Sequence, residues 1–282
     1  MPLITKSVFD AVVEFTDKNL TQTAKDYYLS RGWDSTIIAK WRLGFFPQGK
    51  NSQLFAALLK RGYDKDDLLD ARVMNEKGNT FLYNRVIFPV WNTHGKLIAV
   101  TGRTLADDKP KYFNTAYDKG RYLYGLNFAI RMIRELNKAY VYEGNADVIT
   151  AHTVGLENTV GCQGTAFTKE HYNLLSRYTS RIYLIFDNDE GGRKAMASFN
   201  KRSANFFVGE KNNVLNIRLN KEVEVFLIVL KGAKDPDEFI RKYGKEEFLK
   251  TVKEQSEDSK LQAQRRQILP KAVNQHAKKR NV

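Results

Sequence analysis

Ile182-Tyr183-Leu184-Ile185-Phe186 runs directly into Asp187-Asn188-Asp189-Glu190-Gly191-Gly192. The apolar run has the length and composition of a buried strand, and it stops at two carboxylates and two glycines. Burying one unpaired carboxylate is costly, and a second on the alternate position adds repulsion. A divalent cation removes both penalties. Oxygen ligands at the carboxyl end of a strand are what Mg²⁺ takes when it also holds substrate phosphates. Taken alone, the same residues also read as a solvated acidic turn that caps a helix, with Glu190 either a further metal ligand or part of that cap.

The flanking sequence extends the pattern. From Ala139 onward strands and helices alternate: a strand over Ala139–Tyr142, a helix over Ala146–His152 and a short strand over Thr159–Gly161. Thr168 is a good N-cap for a helix reaching about Tyr178, and the Arg181–Phe186 strand follows. A helix is expected over Arg193–Phe206, then strands within Val214–Leu219 and Val225–Leu230. This rhythm predicts an α/β fold with a mostly parallel sheet and helices on its faces. In such a sheet the carboxyl ends of the strands share one edge. Glu143-Gly144 follows the first strand and Asp235-Pro236-Asp237 follows the last apolar run, so three strand ends bring carboxylates to that edge.

Upstream the texture differs. Residues 7–30 have helical spacing, Arg31-Gly32-Trp33 breaks it, a second helical segment begins near Ser35, and Leu54–Lys60 begins a third. Val86–Val90 and Leu97–Val100 read as strands joined by the hairpin loop Asn92–Lys96. The N-terminal part is therefore expected to mix helices with antiparallel strands. After about Ser256 the chain turns polar and basic, which predicts a loosely ordered tail or one helix.

The chain has 282 residues, 42% of them hydrophobic, enough for a sizeable core. Its formal net charge of +14 points to a polyanionic partner, of which nucleic acid is the commonest. No apolar run approaches a bilayer span and Met1–Asp10 lacks a signal-peptide pattern, so a membrane is not expected and the setting is cytoplasmic. The single cysteine, Cys162, excludes a disulfide framework and a Cys-based zinc site, and reads as a small buried apolar residue. His94, His152, His171 and His276 have no ligand spacing. A Walker-type phosphate loop is absent from the sequence, which excludes a motor ATPase within this chain.

Glu143-Gly-x-x-Asp147, Asp187-x-Asp189-x-x-Gly192 and Asp235-Pro-Asp237 together resemble the Toprim domain of bacterial and phage DnaG-type primases. Arg85-Val-Ile-Phe-Pro89, Gly102-Arg103, Lys109-Pro-Lys-Tyr-Phe-Asn114 and Lys119-Gly-Arg-Tyr-Leu-Tyr-Gly125 look like the signature run of the same family's catalytic core, in the family's order. The resemblance covers about residues 20–250. It implies a mixed α+β basic subdomain over 1–130, a Toprim domain over 131–250 and a tail over 251–282. It implies a metal centre of Glu143, Asp187 and Asp189, helped by Asp235 and Asp237, with Asp147 beside it. Lys119 matches a catalytically important lysine near the incoming nucleotide. Arg85, Arg103, Lys109, Lys111, Tyr112, Asn114 and Arg121 match the face that handles nucleotide and template.

The activity so implied is synthesis of short RNA primers on single-stranded DNA from ribonucleoside triphosphates, with Mg²⁺ or Mn²⁺ as cofactor. Tyr112, Phe113, Tyr122 and Tyr124 read equally as base-stacking groups or as core. Family members usually carry a zinc ribbon and a helicase-binding domain. This chain lacks the cysteines for the former, so it is expected to be an excised core or a minimal protein of a phage or mobile element. A zinc-ribbon protein or a replicative helicase would then act in trans. The other readings are a Toprim-family metal-dependent nuclease and a non-catalytic binder of single-stranded DNA or of the replisome.

Overall fold

The computed structural model describes residues 7–107, 109–164, 166–188, 214–219 and 221–278. The chain divides into two compact units, Met1–Asn127 and Phe128–Val282.

In the first unit the helical spacing over residues 7–30 resolves into α1 (Val8–Lys18) and α2 (Gln22–Ser30). Ser7 and Asp10 form a capping box for α1, and Thr21 Oγ1 accepts from Ala24 N–H at 3.3 Å to start α2. Asp34 caps α3 (Ser35–Lys40) and Asp64 caps α5 (Lys65–Asp70); between them lie β1 (Gly44–Phe46) and α4 (Asn51–Leu59). β1 joins β2 (Arg85–Trp91), β3 (Leu97–Thr104) and β4 (Tyr112–Asn114) in an antiparallel sheet of order β1-β2-β3-β4. The expected hairpin turn is there: Asn92 N–H donates to Lys96 O, and Asn92 Oδ1 accepts from the N–H of His94 and Lys96. β1 pairs with β2 only as far as Ile87, so Pro89 needs a ladder partner on one side alone.

α1 lies hard against β1. A Cβ on Gly44 would sit 2.5 Å from Thr16 Oγ1, so only glycine permits this approach. Trp33, fully buried, centres the core, with Tyr28 stacked on it at 5.8 Å and Phe88 edge-on at 6.2 Å.

In the second unit α6 (Leu126–Leu136) leads into β5 (Ala139–Tyr142), α7 (Asn145–Thr153), β6 (Thr159–Gly161), α8 (Lys169–Leu175) and β7 (Arg181–Ile185). β8 (Val214–Leu219), β9 (Lys221–Ile228) and α9 (Pro236–Lys278) complete it. The sheet order is β6-β5-β7-β9-β8; all neighbours are parallel except β8, an antiparallel edge strand. α8 ends at Leu175, short of the expected Tyr178, whose N–H closes a turn onto Leu175 O. α9 breaks at Gly244 (φ 83°) and then runs through the basic segment as helix. The helix expected over Arg193–Phe206 falls outside the described residues. Phe248 of α9 packs edge-on against Tyr140 at 5.3 Å, which fixes the helix over the strands, and Tyr183 of β7 stacks on Phe226 of β9 at 4.9 Å within the sheet.

Candidate metal centre and nucleic-acid interface

The parallel register of β5, β7 and β9 puts the carboxyl ends of three neighbouring strands on one edge. Glu143 follows β5 immediately. Gly164 N–H donates to its carbonyl at 3.1 Å, and Asp187 N–H donates to its Oε1 at 3.2 Å. Glu143 is thereby held from both flanking strands, and the two acids come together. Gln163 (φ 60°) and Gly164 (φ 72°) supply the left-handed turn that brings that N–H into place.

Asn188 locks the next loop. Its backbone N–H donates to Lys234 O at 2.7 Å, and its side-chain amide donates to Leu230 O and Ala233 O. These bonds tie the segment after β9 to the segment after β7. Asp235, half-buried, accepts from Glu238 N–H at 2.8 Å and caps α9.

Asp237 is engaged by other side chains rather than left open at the rim. Asp237 is 1% exposed; its Oδ1 accepts from Thr150 at 2.6 Å and its Oδ2 from Arg241 Nη2 at 2.7 Å and Nε at 3.0 Å. An Arg at i+4 and a hydroxyl from α7 satisfy this buried carboxylate, so it joins α7 to α9. Asp147 is buried in the first turn of α7, where its negative charge complements the positive end of the helix dipole. A Cβ on Gly144 would collide with the Asp147 carboxylate, which accounts for glycine in the Glu143-Gly-x-x-Asp147 motif.

The donor set suits a hard divalent ion: Glu143, Asp187 and Asp235 are oxygen donors, half-buried on one rim. No three His, Cys, Asp or Glu side chains among the described residues converge on one point; Asp189, the remaining acid of the motif, lies outside them. The bland readings hold for Cys162, fully buried with its thiol pushed up by burial and then by the charge of Glu143. His152 bridges α7 to β6 through Thr159 O at 2.9 Å, and His171 is buried in the capping box of α8.

In the first unit the motif residues divide between the two faces of one sheet. Arg103 pairs with Tyr112 and Thr101 with Asn114, so these four share a face. The Arg103 guanidinium lies 4.8 Å over the Tyr27 ring, and its Nε is buried without a hydrogen-bond partner. Thr101 Oγ1 donates to Asn114 Oδ1 at 2.8 Å and orients that amide. Arg85 projects from the opposite face and is 5% exposed, donating to Phe81 O at 2.9 Å and to Lys111 O at 3.1 Å. A Cβ on Gly102 would lie 2.9 Å from Arg85 Cδ, so Gly102 makes room for the arginine stem. Arg85 is a buried clamp, not part of the Arg103 face, because two backbone carbonyls already take its donors.

Lys119 lies half-buried in a single 3₁₀ turn, Lys119–Arg121, capped by Asp118, and burial lowers its pKa below the ordinary 10.5. Arg121 is 72% exposed and pairs with Asp118 at 3.1 Å, a surface contact of little strength. Lys109 and Lys111 are exposed. Of the four aromatics left open, Tyr112 is 36% exposed, Tyr122 and Phe113 are half-buried, and Tyr124 is core, stacked on Trp41 at 5.3 Å.

Residues 12–130 match the family model of the DNA primase catalytic core, N-terminal domain, and residues 140–240 match the Toprim-like model. A solved DNA primase domain from Pseudomonas aeruginosa is 32% identical with a TM-score of 0.72, the alignment covering 90% of this chain and 78% of that one. The chain belongs to the DnaG-type DNA primase family. A DnaG primase catalytic domain solved bound to single-stranded DNA is 30% identical with a TM-score of 0.70, covering 88% of this chain and 79% of that one. The DNA primase of Clostridium acetobutylicum is 35% identical over 248 residues, 84% of this chain and 38% of that protein. That of Aquifex aeolicus is 32% identical over 263 residues, 88% of this chain and 48% of that protein. The chain thus spans less than half the length of these two primases.

Sequence reasoning passed over three residues of this primase fold. Asn188, Phe81 and Tyr83 carry no charge, and Asn188 fills only the variable position of Asp187-x-Asp189, yet Asn188 fastens the rim, and the two aromatics are 46% and 43% exposed. No helix of the described residues is long and apolar enough to cross a membrane.

Proposed function

We propose that this chain is the catalytic core of a DNA primase, joining ribonucleotides into short RNA primers on a single-stranded DNA template. The observation that carries the reading is the contact between Glu143 and Asp187 at the ends of adjacent parallel strands, inside the span that matches the Toprim family. Mg²⁺ or Mn²⁺, held by Glu143, Asp187 and Asp189 with Asp235 at the margin, would supply charge neutralisation at the triphosphate and at the attacking hydroxyl. Asp237 joins α9 to α7 behind those ligands, and Asp147 lies beside Glu143-Gly144. Arg103, Tyr112 and Asn114 present an ordered cation, a ring and an amide to template or nucleotide. Lys119, desolvated, holds its charge in a medium where it acts more strongly on phosphate than an exposed lysine would. The chain would work in the cytoplasm, with a zinc-ribbon protein or replicative helicase in trans choosing the start site.

The test is incubation with defined single-stranded templates, labelled ribonucleoside triphosphates and Mg²⁺ or Mn²⁺, with and without a zinc-ribbon protein. Template-dependent oligoribonucleotides are expected. Their absence in every combination overturns the reading, and cutting of the strand without nucleotides assigns the rim to a nuclease instead.

A further inference from the structure

The turn over residues 80–84 buries Thr80 and Leu82 and leaves Phe81 and Tyr83 out. Thr80 Oγ1 accepts from Leu82 N–H at 3.2 Å, and Leu82 is fully buried beneath Gly102. Phe81 and Tyr83 on either side are 46% and 43% exposed. Two large aromatics in water, flanking a buried leucine, need an explanation that folding alone does not give. The Phe81 ring stacks on Phe113 of β4, centroids 4.7 Å apart and planes inclined by 28°.

This pair is braced rather than loose. Arg85 reaches out from β2 to bond both Phe81 O and Lys111 O, so a buried guanidinium clamps the turn to the strand beside it. Lys111 and Lys109 stand exposed at the margin. Flat rings on a rigid base with lysines alongside are the arrangement that binds single strands without reading sequence: bases stack, and phosphates meet cations. β4 is the edge strand of its sheet, so this ledge adjoins the Arg103–Asn114 face around one edge.

We propose that Phe81, Tyr83 and Phe113 form a stacking ledge for unpaired bases of the single-stranded template, on the far side of β4 from the Arg103–Asn114 face. The inference rests on the primase reading for the identity of the strand; the ledge itself stands on the exposed rings. Stacking is insensitive to base identity, so the ledge adds affinity without sequence preference. Removing the aromatic rings leaves the counterion term, and hence the salt dependence of binding, unchanged.

The experiment is fluorescence-anisotropy titration of a labelled oligothymidylate, and of an equally long strand carrying abasic residues, against the full chain. It compares the unmodified protein with the Phe81→Leu/Tyr83→Leu double variant and with Phe81→Trp. The double variant should bind the oligothymidylate about 5- to 100-fold more weakly, the range for lost base stacking. It should bind the abasic strand as the unmodified chain does. Phe81→Trp should retain the affinity, and its indole fluorescence should be quenched by the intact strand. Unchanged binding of oligothymidylate by the double variant overturns the ledge and assigns the rings to a protein partner. An equal loss on both strands, or an unquenched Phe81→Trp, also overturns it. If the unmodified chain binds neither strand, the template reading falls and takes the ledge with it; that outcome is distinct from failure of the ledge alone.

Discussion

The edge of the parallel sheet and the face of the antiparallel sheet treat their charged motif residues in opposite ways. In the parallel sheet, strands separated in sequence deliver acids to one rim, and the acids that follow the strands directly stay partly open there. In the antiparallel sheet, arginines from paired strands and one signature run point to opposite faces. Arg103 lies over Tyr27 with a donor left over, whereas Arg85 is sealed against two carbonyls. The lesson is that a charged residue's role follows from the register that places it. A parallel edge collects side chains, and an antiparallel ladder sorts them by parity.

The largest break in this comparison should come at the rim. Asp187→Asn is expected to reduce primer synthesis by about 10³-fold, the scale of several kcal/mol of lost transition-state charge stabilisation. Its denaturation midpoint should barely move; a variant that keeps synthesis rates would detach the chemistry from this acid.

Arg85→Ala strikes the other region. It removes the guanidinium bonds to Phe81 O and Lys111 O and leaves a gap beneath Gly102, so urea unfolding should show a loss of about 3 kcal/mol. Arg103→Ala should cost little stability and weaken template binding. If the two variants exchanged these phenotypes, the division of the sheet into a structural and a binding face would be wrong.

Asn188→Ala removes two side-chain bonds from the loop that carries Asp235. Metal titration should show affinity about 10-fold weaker, as for other groups that orient ligands without touching the ion. Unchanged affinity would make Asn188 a loop staple with no bearing on the rim.

Lys119 gives the smallest effect. Burial penalises its ammonium, so the folded chain releases that proton at lower pH than the unfolded chain does. Between the lowered value and the ordinary 10.5 the unfolded state holds more protons, and this group's contribution makes stability rise with pH there. A step that needs the charged form fails at correspondingly lower pH, and Lys119→Arg should move the alkaline limb of the rate profile upward. A limb that does not move removes Lys119 from the step.

Much of the second unit was legible because β5, β6 and β7 are apolar runs punctuated by glycine, asparagine or acid, and their parallel pairing predicts a common rim. β1 was not, since three residues, Gly44–Phe46, have no period; Thr16 and β2 give them a place. α6 and α5 also escaped the sequence reading, and the strand expected from Val225 begins at Lys221 because the β8–β9 hairpin extends it. Within the site, Glu143 and Asp187 could be read from strand ends alone. Asn188 could not, because its partners are carbonyls 42 and 45 residues away. Asp237 carries the family motif, yet its Thr150 partner, 87 residues distant, is what makes it a brace.

The measurement closest to the centre of this account is Mn²⁺ binding followed by electron paramagnetic resonance, on the intact chain and on Glu143→Gln. The unmodified chain should quench the free-Mn²⁺ signal, and Glu143→Gln, equally folded by circular dichroism, should lose most of that binding. Equal Mn²⁺ binding by both proteins would contradict that expectation and place the metal, and with it the chemistry, away from the rim.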